Sequence, residues 1–92
     1  SQYDPRKDIV NIHCPVMAVN GHLDTQVLPV SNLGTLRELL PSNGQTVIKE
    51  YKGLNHLFQH CTLGSVAEYN LIEETVSEEV LKDVAEWIAR LK

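Results

Sequence analysis

The chain has 92 residues and a formal net charge of -4, with eight lysines and arginines scattered along it. This length indicates one domain at most. The scattered basic residues argue against a nucleic-acid partner, since no cluster is present to neutralise phosphates. No apolar run approaches the roughly 20 residues that span a membrane, so we expect no membrane partner.

The chain opens with "SQYDPRKD", which lacks a methionine. We therefore expect a processed product or a piece of a longer chain. No signal peptide is visible, and any such peptide would lie upstream of this sequence. The compartment, cytoplasmic or exported, is thus left open.

The first half of the chain predicts a helix, a buried strand and a second helix. Asp4 followed by proline is typical of an N-cap, and the helix is expected to run over Pro5–Ile12. Val16–Val19 is continuously apolar, which is typical of a strand covered on both faces. The loop "HLDTQVLPVS" then leads to a helix over Ser31–Leu40, where leucines recur at helical spacing.

The second half predicts a second strand and a closing helix. Thr46–Tyr51 is rich in β-branched residues and is ended by Gly53. Residues 57–76 give no clear pattern beyond one short helical turn. Ser77 is suited to cap the closing helix. The apolar side chains of that helix form one stripe: Val80, Leu81, Val84, Trp87, Ile88 and Leu91.

Alternation of helices and strands predicts an α/β fold with parallel strands joined by a crossover helix. Two parallel strands make a poor sheet, because each needs cover on both faces and neighbours at its edges. We therefore expect one end of a larger α/β sheet, or a chain that must associate with itself.

Two polar loops follow the two strands. Asp24 comes shortly after the first strand and His56 shortly after the second. The intervening helix returns the chain, so both loops emerge at one edge of the sheet. Neighbouring strands lie about 4.8 Å apart, so a side chain on one loop is expected to reach the next loop. A carboxylate that holds one imidazole nitrogen leaves the other free to take a proton from a hydroxyl or thiol.

Both loops occur within longer stretches that resemble a known family. "CPVMAVNGHLDTQVLP" and "EYKGLNHLFQ" are similar to the last two core strands of an α/β-hydrolase, which carry the catalytic acid and histidine. "EYNLIEETVSEEVLKDVAEWI" resembles the segment that closes such chains. The most similar branch is that of acyl-esterases and serine aminopeptidases, near prolyl oligopeptidases and dienelactone hydrolases. Essentially all of residues 1–92 take part, but they correspond to about the C-terminal third of a typical domain.

The resemblance implies a C-terminal portion of an α/β-hydrolase fold, with Asp24 as the acid and His56 as the general base. It implies Ser–His–Asp chemistry on ester, amide or peptide carbonyls, with no cofactor and no metal. The partners would be an acyl substrate, small molecule or peptide, and the rest of the hydrolase domain. Its substrate-binding residues, and the choice among esterase, peptidase, thioesterase and acyltransferase, stay open.

The nucleophile is expected outside this chain. The family order is nucleophile, acid, histidine, so the serine should precede residue 1 and this chain alone should be inactive. Cys61 follows the histidine, and Cys14 lies at the opposite end of its strand. None of the serines has a G-x-S-x-G setting: Ser1, Ser31, Ser42, Ser65 and Ser77.

The same residues are also compatible with other roles. His56 and His60 have the spacing of a helical metal site, with His22 nearby, but no helix or HExxH motif is evident there. His56 as an ordinary packing histidine is the simplest alternative. For the whole chain the alternative is a non-catalytic binding or assembly module that keeps a remnant of the fold. A G-x-S-x-G motif upstream would favour the enzyme.

The remaining polar residues are expected to have ordinary roles. His22 and His60 are predicted to be solvated loop residues, and Glu50 to face a helix or solvent. Cys14 and Cys61 are too far apart in sequence for a C-x-x-C motif. They are predicted to be reduced and mostly buried.

Overall fold

The computed structural model of the chain describes residues 3–91, apart from the side chain of Asn70. Ser1 lies outside these residues. Within them no helix is both long and apolar enough to cross a membrane. The elements in chain order are helix α1 Arg6–Ile9, strand β1 Met17–Gly21, helix α2 Pro29–Leu39, strand β2 Val47–Tyr51, a 3₁₀ helix Val66–Leu71, and helix α3 Glu78–Arg90.

The two strands are parallel and joined by α2, which confirms a mixed α/β architecture. Their register pairs Met17 with Val47 and Gly21 with Tyr51, so both strands end at the same level. Helix α2 packs against both strands. Side chains alternate along β2, and Lys49 and Tyr51 both point to α3, where each binds the carboxylate of Asp83 at 2.7 Å.

Several predicted boundaries shift by a few residues. The predicted helix Pro5–Ile12 is limited to Arg6–Ile9, and Asp4 accepts the backbone N–H of Arg6 at 3.0 Å. Helix α2 begins two residues early, because Pro29 stands at its first turn, where its missing N–H has no cost. The unassigned region contains the 3₁₀ helix.

Helix α3 corrects two expectations. Ser77 occupies the N-cap position, but its hydroxyl makes no capping hydrogen bond. The side chain is fully buried beneath the histidine loop, and the backbone N–H instead donates to the carbonyl of Phe58 at 2.7 Å. The apolar stripe is covered along one side only: Val80 is 4% exposed and Val84 and Trp87 are half-buried, whereas Leu81 and Ile88 are each 57% exposed.

The small core lies directly below the edge where the strands end. Tyr51, Leu54 and Val80 are buried together, and Val19, Phe58 and Val84 pack against them. Met17–Val19 is only half-buried, although its apolar run predicted cover on both faces. The described residues supply it with one neighbouring strand.

The cysteines also differ from the prediction. Both are free, but Cys14 is exposed because it lies in the surface turn between α1 and β1. Cys61 is half-buried. The expectation of two mostly buried thiols is therefore wrong for Cys14.

Candidate active site

The two polar loops stay side by side after the strands end. The backbone N–H of His22 donates to the carbonyl of Tyr51 at 2.8 Å, and that of Leu23 donates to the carbonyl of Leu54 at 3.0 Å. The chain then turns, with the N–H of Asp24 donating to the carbonyl of Gly21 at 3.1 Å. These bonds extend the strand pairing into the loops and hold the two predicted site residues at one edge.

The structure brings Asp24 and His56 into contact. Nδ1 of His56 lies 2.9 Å from Oδ2 of Asp24. A carboxylate only accepts hydrogen bonds, so Nδ1 carries the proton and Nε2 is an acceptor in the neutral ring. Nε2 has no hydrogen-bond partner among the described side chains and backbone. The Asp24 side chain is 5% exposed and that of His56 is 36% exposed, so the acid is enclosed and the imidazole is open to solvent.

The Asp24 carboxylate is held from both sides. Its Oδ1 accepts the backbone N–H groups of Gln26 and Val27, both at 2.8 Å. Burial acts to raise the pKa of Asp24, but the Val27 amide, the His56 imidazole and the Gln26 amide outweigh it and hold that pKa below its ordinary value. The group is therefore a carboxylate at neutral pH, fixed in place before any substrate arrives.

Asn20 is a part of the site that sequence analysis missed. Its side chain is buried, and Nδ2 donates to the carbonyl of Val27 at 3.0 Å and more weakly to Asp24 Oδ2 at 3.4 Å. Its Oδ1 accepts from Asn32 of α2 at 2.8 Å. Asn20 thus ties the acid loop to α2. The sequence does contain a sign of this role, because Asn20 is a polar residue that directly follows an apolar strand and precedes the loop of Asp24.

The histidine loop is a tight, buried turn. Leu54 and Asn55 are fully buried, and Leu54 pairs with His60 in a short antiparallel bridge. Phe58 adopts φ of 57°, a left-handed conformation that is unfavourable for a bulky side chain. Such strain persists where surrounding contacts fix the backbone, and it is common at functional sites.

Two other histidines have carboxylate partners. His22 contacts Glu50, and His60 lies 2.9 Å from Glu74. These carboxylates are 30% and 33% exposed, and both histidines are on the surface, as predicted. Surface pairs of this kind contribute little, because solvent screens them. The pair at Asp24 differs because its carboxylate is buried, with a side chain that is 5% exposed, and accepts two backbone amides of its own loop.

The geometry gives little support to a metal site or to Cys61 as the nucleophile. Within residues 3–91 no group of three or more His, Cys, Asp or Glu side chains is arranged to hold a metal ion. Burial, followed by the nearby charge of Glu68, raises the pKa of the Cys61 thiol. A raised pKa disfavours the thiolate, which is the nucleophilic form.

Comparison of the chain with models of protein families, with curated proteins and with solved structures finds no match. What the site does must therefore be inferred from its own geometry.

Proposed function

We propose that this chain is the C-terminal part of an α/β-hydrolase and supplies the acid and the general base of a serine hydrolase. One observation carries the proposal. A buried, amide-bound carboxylate lies 2.9 Å from Nδ1 of a solvent-accessible histidine, at the ends of adjacent parallel strands. Sites of α/β sheets form at this edge, and acid followed by histidine is the α/β-hydrolase order.

The proposed chemistry uses Nε2 of His56 as the general base. A serine Oγ bonds to the substrate carbonyl carbon while its proton passes to Nε2. Asp24 holds Nδ1–H and stabilises the imidazolium that forms. Nε2 then returns the proton to the leaving alcohol or amine as the C–O or C–N bond breaks. Water repeats the sequence on the acyl-enzyme, and no cofactor enters any step.

The serine comes, in this proposal, from chain that precedes residue 1. The serines of the described residues lack a nucleophile-elbow setting, and the pKa of Cys61 is raised. The partners are an acyl substrate and the remainder of the sheet. Large apolar side chains on the surface are consistent with that cover: Val30 is 81% exposed and Leu71 is 82% exposed.

The test uses the full-length protein with p-nitrophenyl acetate and a fluorophosphonate probe. Asp24→Asn should lower kcat by about 10⁴-fold, as expected when the histidine tautomer is no longer fixed. His56→Ala should lose at least as much. His22→Ala and His60→Ala are matched controls that each remove a surface histidine–carboxylate pair, and they should keep activity within a few-fold. Near-wild-type hydrolysis by both Asp24→Asn and His56→Ala, with circular dichroism unchanged, contradicts the proposal.

The isolated chain gives a second test. It should hydrolyse p-nitrophenyl acetate no faster than free imidazole does, because none of its serines has a nucleophile-elbow setting. A saturable reaction with a burst would overturn this.

A monomeric species that unfolds cooperatively would argue against the need for the rest of the sheet. A full-length protein without fluorophosphonate labelling would favour a non-catalytic binding or assembly module.

A further inference from the structure

Asn55, the residue before His56, has a fully buried side chain whose polar atoms are all engaged. Its Oδ1 accepts the backbone N–H groups of Leu57 at 2.9 Å and Gln59 at 3.0 Å. Its Nδ2 donates to Oε1 of Gln59 at 3.0 Å. A buried amide that loses its partners is costly, so these bonds fix the turn strongly.

Backbone bonds close the same turn. The N–H of Asn55 donates to the carbonyl of Gln59 at 3.0 Å, and the N–H of Phe58 donates to the carbonyl of Asn55 at 3.1 Å. His56 lies inside this closed loop, between the residue that organises it and Leu57. The left-handed backbone of Phe58 is therefore held by bonds that converge on Asn55.

The turn is also anchored from below. The Phe58 carbonyl accepts the N–H of Ser77 at the start of α3 at 2.7 Å. The Phe58 ring meets Tyr51 edge to face, with centroids 6.4 Å apart. Phe58 is thus fixed to the core, and the hydrogen bonds of the Asn55 side chain set the backbone path of the rest of the turn.

We infer that Asn55 is a positioning residue for His56. Its amide closes the turn of residues 55–59 and so directs Nδ1 of His56 to Asp24, with Nε2 turned outward. The catalytic consequence rests on the proposed function, but the structural claim concerns only the His56–Asp24 hydrogen bond. Asp24 fixes the imidazole tautomer only while the turn holds Nδ1 within hydrogen-bond distance of Oδ2, so a displaced turn changes the tautomer.

The test measures that tautomer directly, by NMR of the full-length protein labelled with ¹⁵N-histidine. Wild type should show the Nδ1–H form of His56, with a downfield proton bonded to Asp24. Asn55→Ala removes both the acceptor and the donor, so the downfield proton should disappear and both tautomers should be populated. Asn55→Asp keeps an acceptor for the backbone amides of Leu57 and Gln59, and the Gln59 side-chain amide can rotate to donate to the second oxygen, so this variant should restore most of the wild-type pattern.

Leu33→Ala is the control for general destabilisation, because Leu33 is fully buried in α2 and outside the histidine loop. It should leave the His56 signals unchanged. If Asn55→Ala does not fold, Asn55→Ser replaces it, since its shorter side chain cannot reach both Leu57 and Gln59. A wild-type tautomer and downfield proton in a folded Asn55→Ala or Asn55→Ser protein would overturn the inference.

Kinetics separate this inference from the proposed function. If the full-length protein is a hydrolase, Asn55→Ala should lower kcat by about 10²-fold with little change in KM, the loss expected from a misplacement of about 1 Å. Asn55→Asp should recover most of it. A full-length protein that hydrolyses nothing, yet shows the expected NMR changes, would refute the proposed function and leave the positioning role of Asn55 intact.

Discussion

Gly21, the last residue of β1, lies directly against the backbone of Asn55. A Cβ at position 21 would stand 2.4 Å from the carbonyl oxygen of Asn55 and 2.4 Å from that of Leu54. Real side chains do not approach backbone atoms so closely. The glycine is therefore what allows the histidine loop to lie over the end of β1, next to the turn that carries Asp24.

Replacing that glycine should separate the two loops. Gly21→Ala is expected to destabilise the fold by roughly 1–3 kcal/mol, the usual effect of inserting a methyl group into a packed contact. It should also lengthen the His56–Asp24 contact, because backbone atoms have to move. Urea unfolding and the histidine NMR signals measure the two effects.

Gly34→Ala is the matched control. Gly34 lies within α2, and a Cβ there has nothing within 4 Å. Alanine should stabilise that helix by about 0.5–1 kcal/mol. Equal stability of the two variants would show that the close packing at Gly21 does not matter.

Ser77→Ala should behave against the usual rule for helix N-caps. Loss of a capping serine typically costs about 1 kcal/mol. Here Oγ is fully buried and has no hydrogen-bond partner among the described residues. Removing an unpaired buried hydroxyl is expected to be neutral or stabilising by about 1 kcal/mol. Thermal and urea unfolding give the sign, and a clear loss of stability would mean that the hydroxyl has a partner.

The proximity of Asp24 and His56 could be predicted, because it follows from the sequence pattern of the two strands and from their topology. A strand, a crossover helix and a second strand put both exits on one edge. Asp24 and His56 stand at those exits. The structure places these two side chains in contact at 2.9 Å.

The supporting amides could not be predicted in the same way. Asparagine is common at strand ends and in turns, so the residues around Asn20 and Asn55 give no sign that both side chains are buried. The buried amide of Asn20 accepts from Asn32, a residue of the following helix, and this contact has no local signature in the sequence. The apolar stripe of α3 likewise predicts a face but not how much of that face is covered, so the exposure of Leu81 and Ile88 could not be predicted from it.

The buried carboxylate predicts how stability changes in acid. The folded pKa of Asp24 lies below 3.8, the value expected when the group is free. A lowered folded pKa contributes stability that is present above the unfolded pKa and is lost as pH falls through the folded value. Urea unfolding of wild type and Asp24→Asn should therefore show a difference at pH 7 that shrinks below about pH 4. A difference that stays constant with pH would mean that the charge of Asp24 does not contribute.

At the other end of the pH range Tyr51 is a sensitive group. The residue is 2% exposed, and its hydroxyl donates to Asp83 at 2.7 Å. Burial, then the hydrogen bond and negative charge of Asp83, raises the pKa of Tyr51 well above its ordinary value. A raised folded pKa contributes stability that is present below the unfolded pKa, about 10, and is lost as pH rises toward the folded value.

Wild type should therefore lose stability above about pH 10, where the unfolded chain ionises this tyrosine and the folded chain does not. Tyr51→Phe should be less stable than wild type at pH 7, because Asp83 loses one hydrogen-bond donor and keeps Lys49. Between pH 7 and pH 11 this variant should lose less stability than wild type does. Tyr69→Phe, which removes a half-buried phenol bonded to Gln26, should retain the wild-type slope. Equal alkaline slopes in wild type and Tyr51→Phe would show that the buried phenol does not link β2 to α3 as this hydrogen bond indicates.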